Sequence, residues 1–246
     1  MATETAEIIE NAEITKIGEV NENDNQSKEL DIAPELLIKH PLQNRWTLWF
    51  FKNDTSKQWS ENLCKITSFD TVEDFWALYN HIELASKISH RCDYSLFKDG
   101  VKPMWEDDRN KKGGRWLINL TKAQRSRDLD NFWLETLLCL IGETFEDVSD
   151  DICGAVVNVR IKGDKIGVWT NNAEFHDNII RVGKKLKEVL QIPQKVTLGY
   201  EVHADTMSKS SSTVKTRLMV LPLAELSYES LLSQILIIPK YEEDSK

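Results

Sequence analysis

Trp105 and Glu106 are adjacent in the segment Pro103-Met104-Trp105-Glu106-Asp107-Asp108, which runs straight into Arg109-Asn110-Lys111-Lys112-Gly113-Gly114-Arg115-Trp116. Aromatic, acid and cation therefore alternate within one stretch. A second tryptophan, Trp59, lies upstream in a polar, loop-like region. Two indole faces and a carboxylate can together hold a flat, positively charged heterocycle, because π faces attract delocalised positive charge and the acid accepts hydrogen bonds from ring N–H and amine groups. A 7-methylated guanine has that chemistry, and stacking with cation–π attraction contributes roughly a few kcal/mol per face. Glu106 can accept from guanine N1–H and the exocyclic amine, a donor pair that adenine does not offer in that arrangement. Taken singly, Trp59 and Trp105 read as core aromatics and the three acids as a solvated loop; their combination points to a site.

Phosphates attached to such a base call for cations at fixed positions. Arg160 and Lys165, close across a predicted hairpin, and Arg115 supply them, a planar arginine fork and a point-charge lysine suiting adjacent phosphates. Lys112 reads as a solvated surface base. Bond-making chemistry finds little support: the chain has no GxSxG elbow, no GxxxxGK[ST] loop and no GxGxxG. His40, His81, His90, His176 and His203 are scattered without metal-ligand spacing. Glu106, Asp107 and Asp108 are consecutive and point different ways, a poor metal cluster. A binding protein is expected, with no enzyme activity, no cofactor and no metal.

The elements that must position these residues follow from patterning. The 246 residues, 41% apolar, suffice for one core. The net charge of −9 is uneven: residues 1–31 hold nine acids against two lysines, and residues 221–246 hold five against two, leaving residues 32–220 near +1. A near-neutral body with local basic clusters suits a short phosphate chain, whereas a long duplex calls for a broader positive field. Residues 1–37 read as a disordered acidic tail, residues 38–220 as the folded domain and residues 221–246 as a weakly ordered extension. Cys64, Cys92, Cys139 and Cys153 show no CxxC or disulfide ladder, so a reducing, cytoplasmic setting is expected, with nuclear access left open. No membrane-spanning run is present.

Residues 45–51 have strand composition, and residues 59–67 read as a loop entering a short second strand. Helical periodicity covers residues 71–82, with Phe75, Leu78, Tyr79 and Ile82 on one side and Val72 and Trp76 at its rim. A second helix is predicted over 127–141, stopping at Gly142; Leu129, Trp133, Leu137 and Leu140 share one face and Leu134 and Leu138 lie to the side. A hairpin is predicted from 154–162 and 165–170 around a Gly163-Asp164 turn, with Val157, Val159 and Ile161 on one face and Asn158, Arg160 and Lys162 on the other. A third helix, 175–190, carries Phe175, Ile179, Val182, Leu186 and Leu190. Strands over 195–203 and 213–220 follow. The pattern gives an α+β fold: a mostly antiparallel sheet with three long helices on one face.

At this point the chain resembles the eukaryotic translation initiation factor 4E family, whose members bind the 7-methylguanosine cap of mRNA. The resemblance spans about residues 38–220 and rests on His40-Pro41-Leu42-Gln43-Asn44-Arg45-Trp46, Phe69-Asp70-Thr71-Val72-Glu73-Asp74-Phe75-Trp76, and the stretches 103–116, 132–143 and 153–169. It implies a curved sheet with the helices on its convex back and the cap slot on the concave side. It implies Trp59 and Trp105 as the stacking pair, Glu106 as guanine acceptor and Trp169 near the methyl group. Arg115, Arg160 and Lys165 match the phosphate contacts, with Asn158 and Lys162 nearby. His40, Pro41, Val72, Trp76, Leu134, Glu135 and Leu138 match the surface that receives a helical peptide from the initiation factor 4G scaffold or the inhibitory 4E-binding proteins. Ser212 aligns with a regulatory phosphorylation serine. Family members commonly end near Val220, and a cap-binding repressor with altered scaffold recruitment is the alternative reading. Within the extension, Tyr228 and the four residues after it lead to Ser233 rather than leucine, so the scaffold's peptide pattern is absent.

Overall fold

In the computed structural model residues 38–193, 195–207 and 218–220 are described. The expectations for the acidic N-terminal stretch, for Ser212 and for residues 221–246 lie outside the described residues. Those from 39 onward belong to one unit. Its described strands are β1 (Pro41–Phe51), β2 (Leu63–Thr71), β3 (Asp93–Lys98), β4 (Gly114–Thr121), β5 (Ile152–Asn158), β6 (Gly163–Thr170), β7 (Leu198–Val202) and β8 (Leu218–Val220). They form one curved sheet in the order β2-β1-β3-β5-β6-β4-β7-β8, with every pairing antiparallel. The described helices are α1 (Trp59–Asn62), α2 (Val72–Tyr79), α3 (Asp130–Ile141), α4 (His176–Val189) and α5 (His203–Met207).

Successive side chains on a strand face opposite sides of the sheet, and here both sides are used. One face sends Trp46, Leu48, Leu96, Trp116, Ile118, Val157, Ile166 and Val168 into the main core. There they meet Phe75 of α2, Trp133, Leu137 and Leu140 of α3, and Ile179, Val182 and Leu186 of α4. The opposite face carries a smaller cluster of Phe97, Cys153, Val156 and Trp169, with Val101, against which Trp105 packs. The α+β expectation of an antiparallel sheet backed by three helices therefore holds.

Several boundaries differ for local reasons. Helix α2 stops at Tyr79, because the Asn80 and His81 amides close onto Trp76 and Leu78 (3.0 Å each), although Ile82 still packs on the core. The start of the second predicted helix, 127–129, falls in a π turn (Arg125–Leu129) that follows a 3-10 turn (Lys122–Gln124) and leads into α3. At its end, Gly142 has φ −87°, and Glu143 takes the left-handed position at φ 51°. The Thr144 amide then returns to Cys139 O at 3.1 Å, closing the orphan carbonyls of the last turn. Phe175 precedes α4 and is exposed rather than part of its apolar stripe. Trp59 opens a short helix instead of a loop, and β2 runs on to Thr71. Gly163 and Asp164 belong to β6, so residues 159–162 make the turn and Ile161 faces solvent (58% exposed) while Val157 and Val159 are buried. The described part of the last two predicted strands is shorter, at Leu198–Val202 and Leu218–Val220.

Helix α4 seats directly on β4 through Trp116. Trp116 is fully buried, and its indole N–H donates to Ile179 O at 2.8 Å. That bond avoids the roughly 1–3 kcal/mol of leaving a buried donor unpaired. A Cβ at Gly183 would lie 2.5 Å from the Trp116 ring, so only glycine lets α4 seat on the indole. Gly183→Val should destabilise the fold by ~2 kcal/mol or more through overpacking, measured by urea unfolding. Unchanged stability would show that α4 can lift without consequence.

Candidate functional site

The sheet face turned away from the long helices holds a cleft of about 640 Å³. Trp59, Trp105, Glu106, Arg115, Asn158, Arg160, Lys165 and Trp169 all line it, so eight of the nine residues expected around one ligand meet. Lys162 is exposed in the 159–162 turn and does not line it, because β5 ends at Asn158 and the expected alternation stops there.

The two walls come from two braced loops. Trp59 begins α1, where the Gln58 amide donates to the Glu61 carboxylate at 2.7 Å. Buried Asn62 ties the preceding loop, donating to Asp54 O at 2.9 Å and accepting from the Asp54 amide at 3.2 Å. Trp59 is 49% exposed and leans on Phe51, ring centres 5.6 Å apart at 30°. Opposite, the Asp107 carboxylate accepts from the Lys102 and Arg109 amides at 3.0 Å each, folding the segment that presents Trp105. Asp108 pairs with Lys111 at 2.7 Å, and Glu106 is exposed with no hydrogen-bond partner among the described residues. The three consecutive acids thus take three separate tasks.

The floor is a row of alternate strand positions. Arg115 stands opposite Trp169 on one side and Glu201 on the other, and it donates to the Glu201 carboxylate at 3.1 Å. Gly113 is needed for close approach: a Cβ there would sit 1.8 Å from Thr170 O. Arg160 makes a two-pronged bond to Asp93, with the Nη2 contact to Oδ2 at 3.0 Å. Burial holds the Asp93 carboxyl above the ordinary carboxylate range, with the Arg160 pair acting against it. The turn below Arg160 is fixed by fully buried Asp164, which accepts from the Arg160 amide at 3.0 Å and from Arg125 at 2.6 and 2.8 Å. Arg125 reaches it from the π turn that precedes α3. Lys165 lies opposite Asn158 and pairs with no carboxylate among the described residues. Arg115 Nε and Trp169 Nε1 are buried without a hydrogen-bond partner among the described residues.

Sequence reasoning missed Asp93, Ser95, Phe51 and Met104 in the lining, and Glu201 and His203 behind it. The signal for Asp93 and Ser95 is the same period-2 alternation, in a strand that carried no obvious chemistry. Glu201 and His203 are 86 and 88 positions from Arg115 in sequence, so only strand pairing reveals them.

The residues expected to receive a peptide lie on the helical side. The His40 amide and ring bind the Glu73 carboxylate at 2.8 and 2.6 Å, and the Val72 amide donates to His40 O at 2.9 Å. Pro41 pairs with Thr71, the α2 cap. Trp76, one turn on from Val72, is 37% exposed and stands edge-on to Phe75 and Tyr79. Leu134 and Leu138 are half-buried on α3, with Glu135 exposed between them.

Trp169 is buried edge-on to Phe97 (5.4 Å) and tilted against His203 (4.2 Å between ring centres). Burial, assisted by the Arg115 charge, pushes His203 down to about 3. The unfolded chain takes up this proton near pH 6.5, whereas the folded chain refuses it until far lower. Stability is thus full above about pH 6.5 and lost as the pH falls, by about 2 kcal/mol at pH 5. Denaturant titrations at pH 7 and 5 should show that loss, and His203→Gln should flatten it; an equally steep profile in the variant would assign the loss elsewhere.

The pattern described as eukaryotic initiation factor 4E matches residues 41–218. Eukaryotic translation initiation factor 4E of Homo sapiens is 65% identical over 187 residues, 76% of this chain and 86% of the human protein. Eukaryotic translation initiation factor 4E-1A of Danio rerio is 61% identical over 199 residues, 81% of this chain and 93% of the relative. Among solved structures, Ascaris suum eIF4E-3 with the m2,2,7G cap aligns with TM-score 0.70 at 50% identity, covering 74% of this chain and 99% of that one. The C. elegans eIF4E-3 complex with the 4E-binding protein Mextli and a cap analog aligns with TM-score 0.69 at 48% identity, covering 74% and 100%. A family pattern across nearly all of the described domain, and relatives above 60% identity over most of their length, establish that the chain belongs to the eukaryotic initiation factor 4E family.

Proposed function

We propose that this protein binds the 7-methylguanosine cap of mRNA and recruits the initiation factor 4G scaffold to start translation, with 4E-binding proteins competing for the same helical surface. The observation that carries the reading is the meeting of Trp59, Trp105 and Glu106 in one cleft above Arg115, Arg160 and Lys165. Two indoles stack on the charged base, Glu106 accepts its N1–H and amine protons, and the cations take the phosphate chain. Trp169, with its buried N–H, closes the methyl side. Relatives crystallised with cap analogs and with 4E-binding proteins support both halves of the reading. The activity is binding, with no bond made or broken.

Titration with 7-methyl-GTP should quench tryptophan fluorescence and outcompete unmethylated GTP by at least about tenfold, the cation–π contribution being lost without the methyl group. Equal affinities would sink the proposal. Glu106→Ala should weaken 7-methyl-GTP binding by about 2 kcal/mol through the lost acceptor pair; unchanged binding would remove Glu106 from the base site.

Trp76→Ala should abolish capture of a scaffold peptide while leaving 7-methyl-GTP affinity within about twofold, since it removes an exposed aromatic anchor on the other side of the sheet. Loss of both activities in that variant would contradict two separate surfaces.

A further inference from the structure

We infer that Asn110 is a positioning residue for the Trp105 and Glu106 wall of the cleft, an assignment that rests on the cap-base reading above. Asn110 is 0% exposed although asparagine is normally a surface residue. Its side-chain amide donates two hydrogen bonds, to Lys102 O and to Met104 O, both at 2.8 Å. Because both neighbours are carbonyls, only the NH2 end of the amide can face them. The other end, Oδ1, is buried without a partner. Its own backbone is fixed, the amide donating to Asp107 O at 2.9 Å and the carbonyl accepting from Gly113 N at 2.8 Å.

The two carbonyls flank Pro103, which has no N–H with which to anchor the segment itself. The Met104 carbonyl shares one rigid peptide plane with the Trp105 nitrogen. Holding that carbonyl therefore sets the direction from which the chain enters Trp105, and with it the plane of the indole and the reach of Glu106. Trp105 is delivered against the Val156 and Trp169 cluster before any ligand arrives. Ordering this loop in advance removes an entropic penalty from base binding. An apolar residue at position 110 would eliminate the unpaired oxygen but remove the side-chain donor from both carbonyls, leaving Lys102 O with the Met104 amide at 2.7 Å and Met104 O with only the long Asp107 amide contact at 3.4 Å.

The test compares 7-methyl-GTP titrations of the full chain carrying Asn110→Asp or Asn110→Ala, in the wild-type and Trp105→Ala backgrounds. Asn110→Asp keeps the shape and sets a carboxylate against the two carbonyls. Each variant should weaken binding by about tenfold or more in the wild-type background, the scale of one or two lost hydrogen bonds. In the Trp105→Ala background the effect should shrink markedly, because residues acting through one another are not additive. Scaffold-peptide capture through the Trp76 side should persist. Undiminished affinity, or the same loss in both backgrounds, overturns the positioning role. Should the variants not fold, the Asn110 side-chain amide protons of the ligand-free wild type decide: slow solvent exchange by NMR supports the role and rapid exchange overturns it. A wild type that fails to prefer 7-methyl-GTP over GTP overturns the cap-base reading, an outcome distinct from normal wild-type binding with unaffected variants.

Discussion

A side chain on a β-strand can face only one side of its sheet, and in this protein each face has a different task. Trp116 and Ile118 of β4 enter the helix-backed core, while Arg115 between β6 and β7 points into the cleft. The same division runs through β3, β5 and β6, where Leu96, Val157 and Val168 alternate with Ser95, Asn158 and Trp169. A register slip by one residue would send the cleft's charges into the core and the core's indoles into solvent. The hydrophobic effect that fixes the core register thus fixes the ligand-facing row as well, without any bond within the site having to do so.

Electrostatics on the floor follow from that row. Arg115 and Arg160 each face a carboxylate, Glu201 and Asp93, and Asp164 is held by Arg125. These pairs orient the arginines more than they charge the cleft. A partly buried pair in good geometry keeps a side chain in place, while its net contribution to stability is small or even unfavourable. Lys165 therefore supplies much of the positive field, and the arginines contribute aimed donors. A near-neutral body can hold a few phosphates in this way, because the cations are concentrated at one place rather than spread over the surface.

The sheet also keeps two surfaces apart. The cleft lies on one face, and Trp76, Leu134 and Leu138 sit on helices that cover the other. On the proposed reading, a peptide docking on the helices and a nucleotide in the cleft share no atom, so neither displaces the other. The π turn before α3 belongs to both halves, since it leads into the helix carrying Leu134 while its Arg125 fixes the turn below Arg160.

Local patterning in the sequence determined the helix faces, the alternating strands and the paired aromatic and acidic residues, because periodicity and residue chemistry are properties of neighbours in the chain. It determined Trp59, Trp105 and Glu106 as a candidate constellation for the same reason, helped by a family pattern denser than any short motif. Element ends were less legible: Glu143 rather than Gly142 takes the left-handed turn, where the Thr144 amide closes the last turn locally, and Gly163 enters a strand because it pairs with Thr121 of β4. Only the tertiary structure decided that Asp93 orients Arg160, that Glu201 meets Arg115, that His203 lies buried against Trp169, and that Asn110 braces the Trp105 loop. Most of those partners lie far apart in the chain and are joined by strand pairing, and the Asn110 amide finds its carbonyls only once the loop closes on itself. Sequence names the groups that can do the chemistry; the antiparallel register and the folded loops set where each one points.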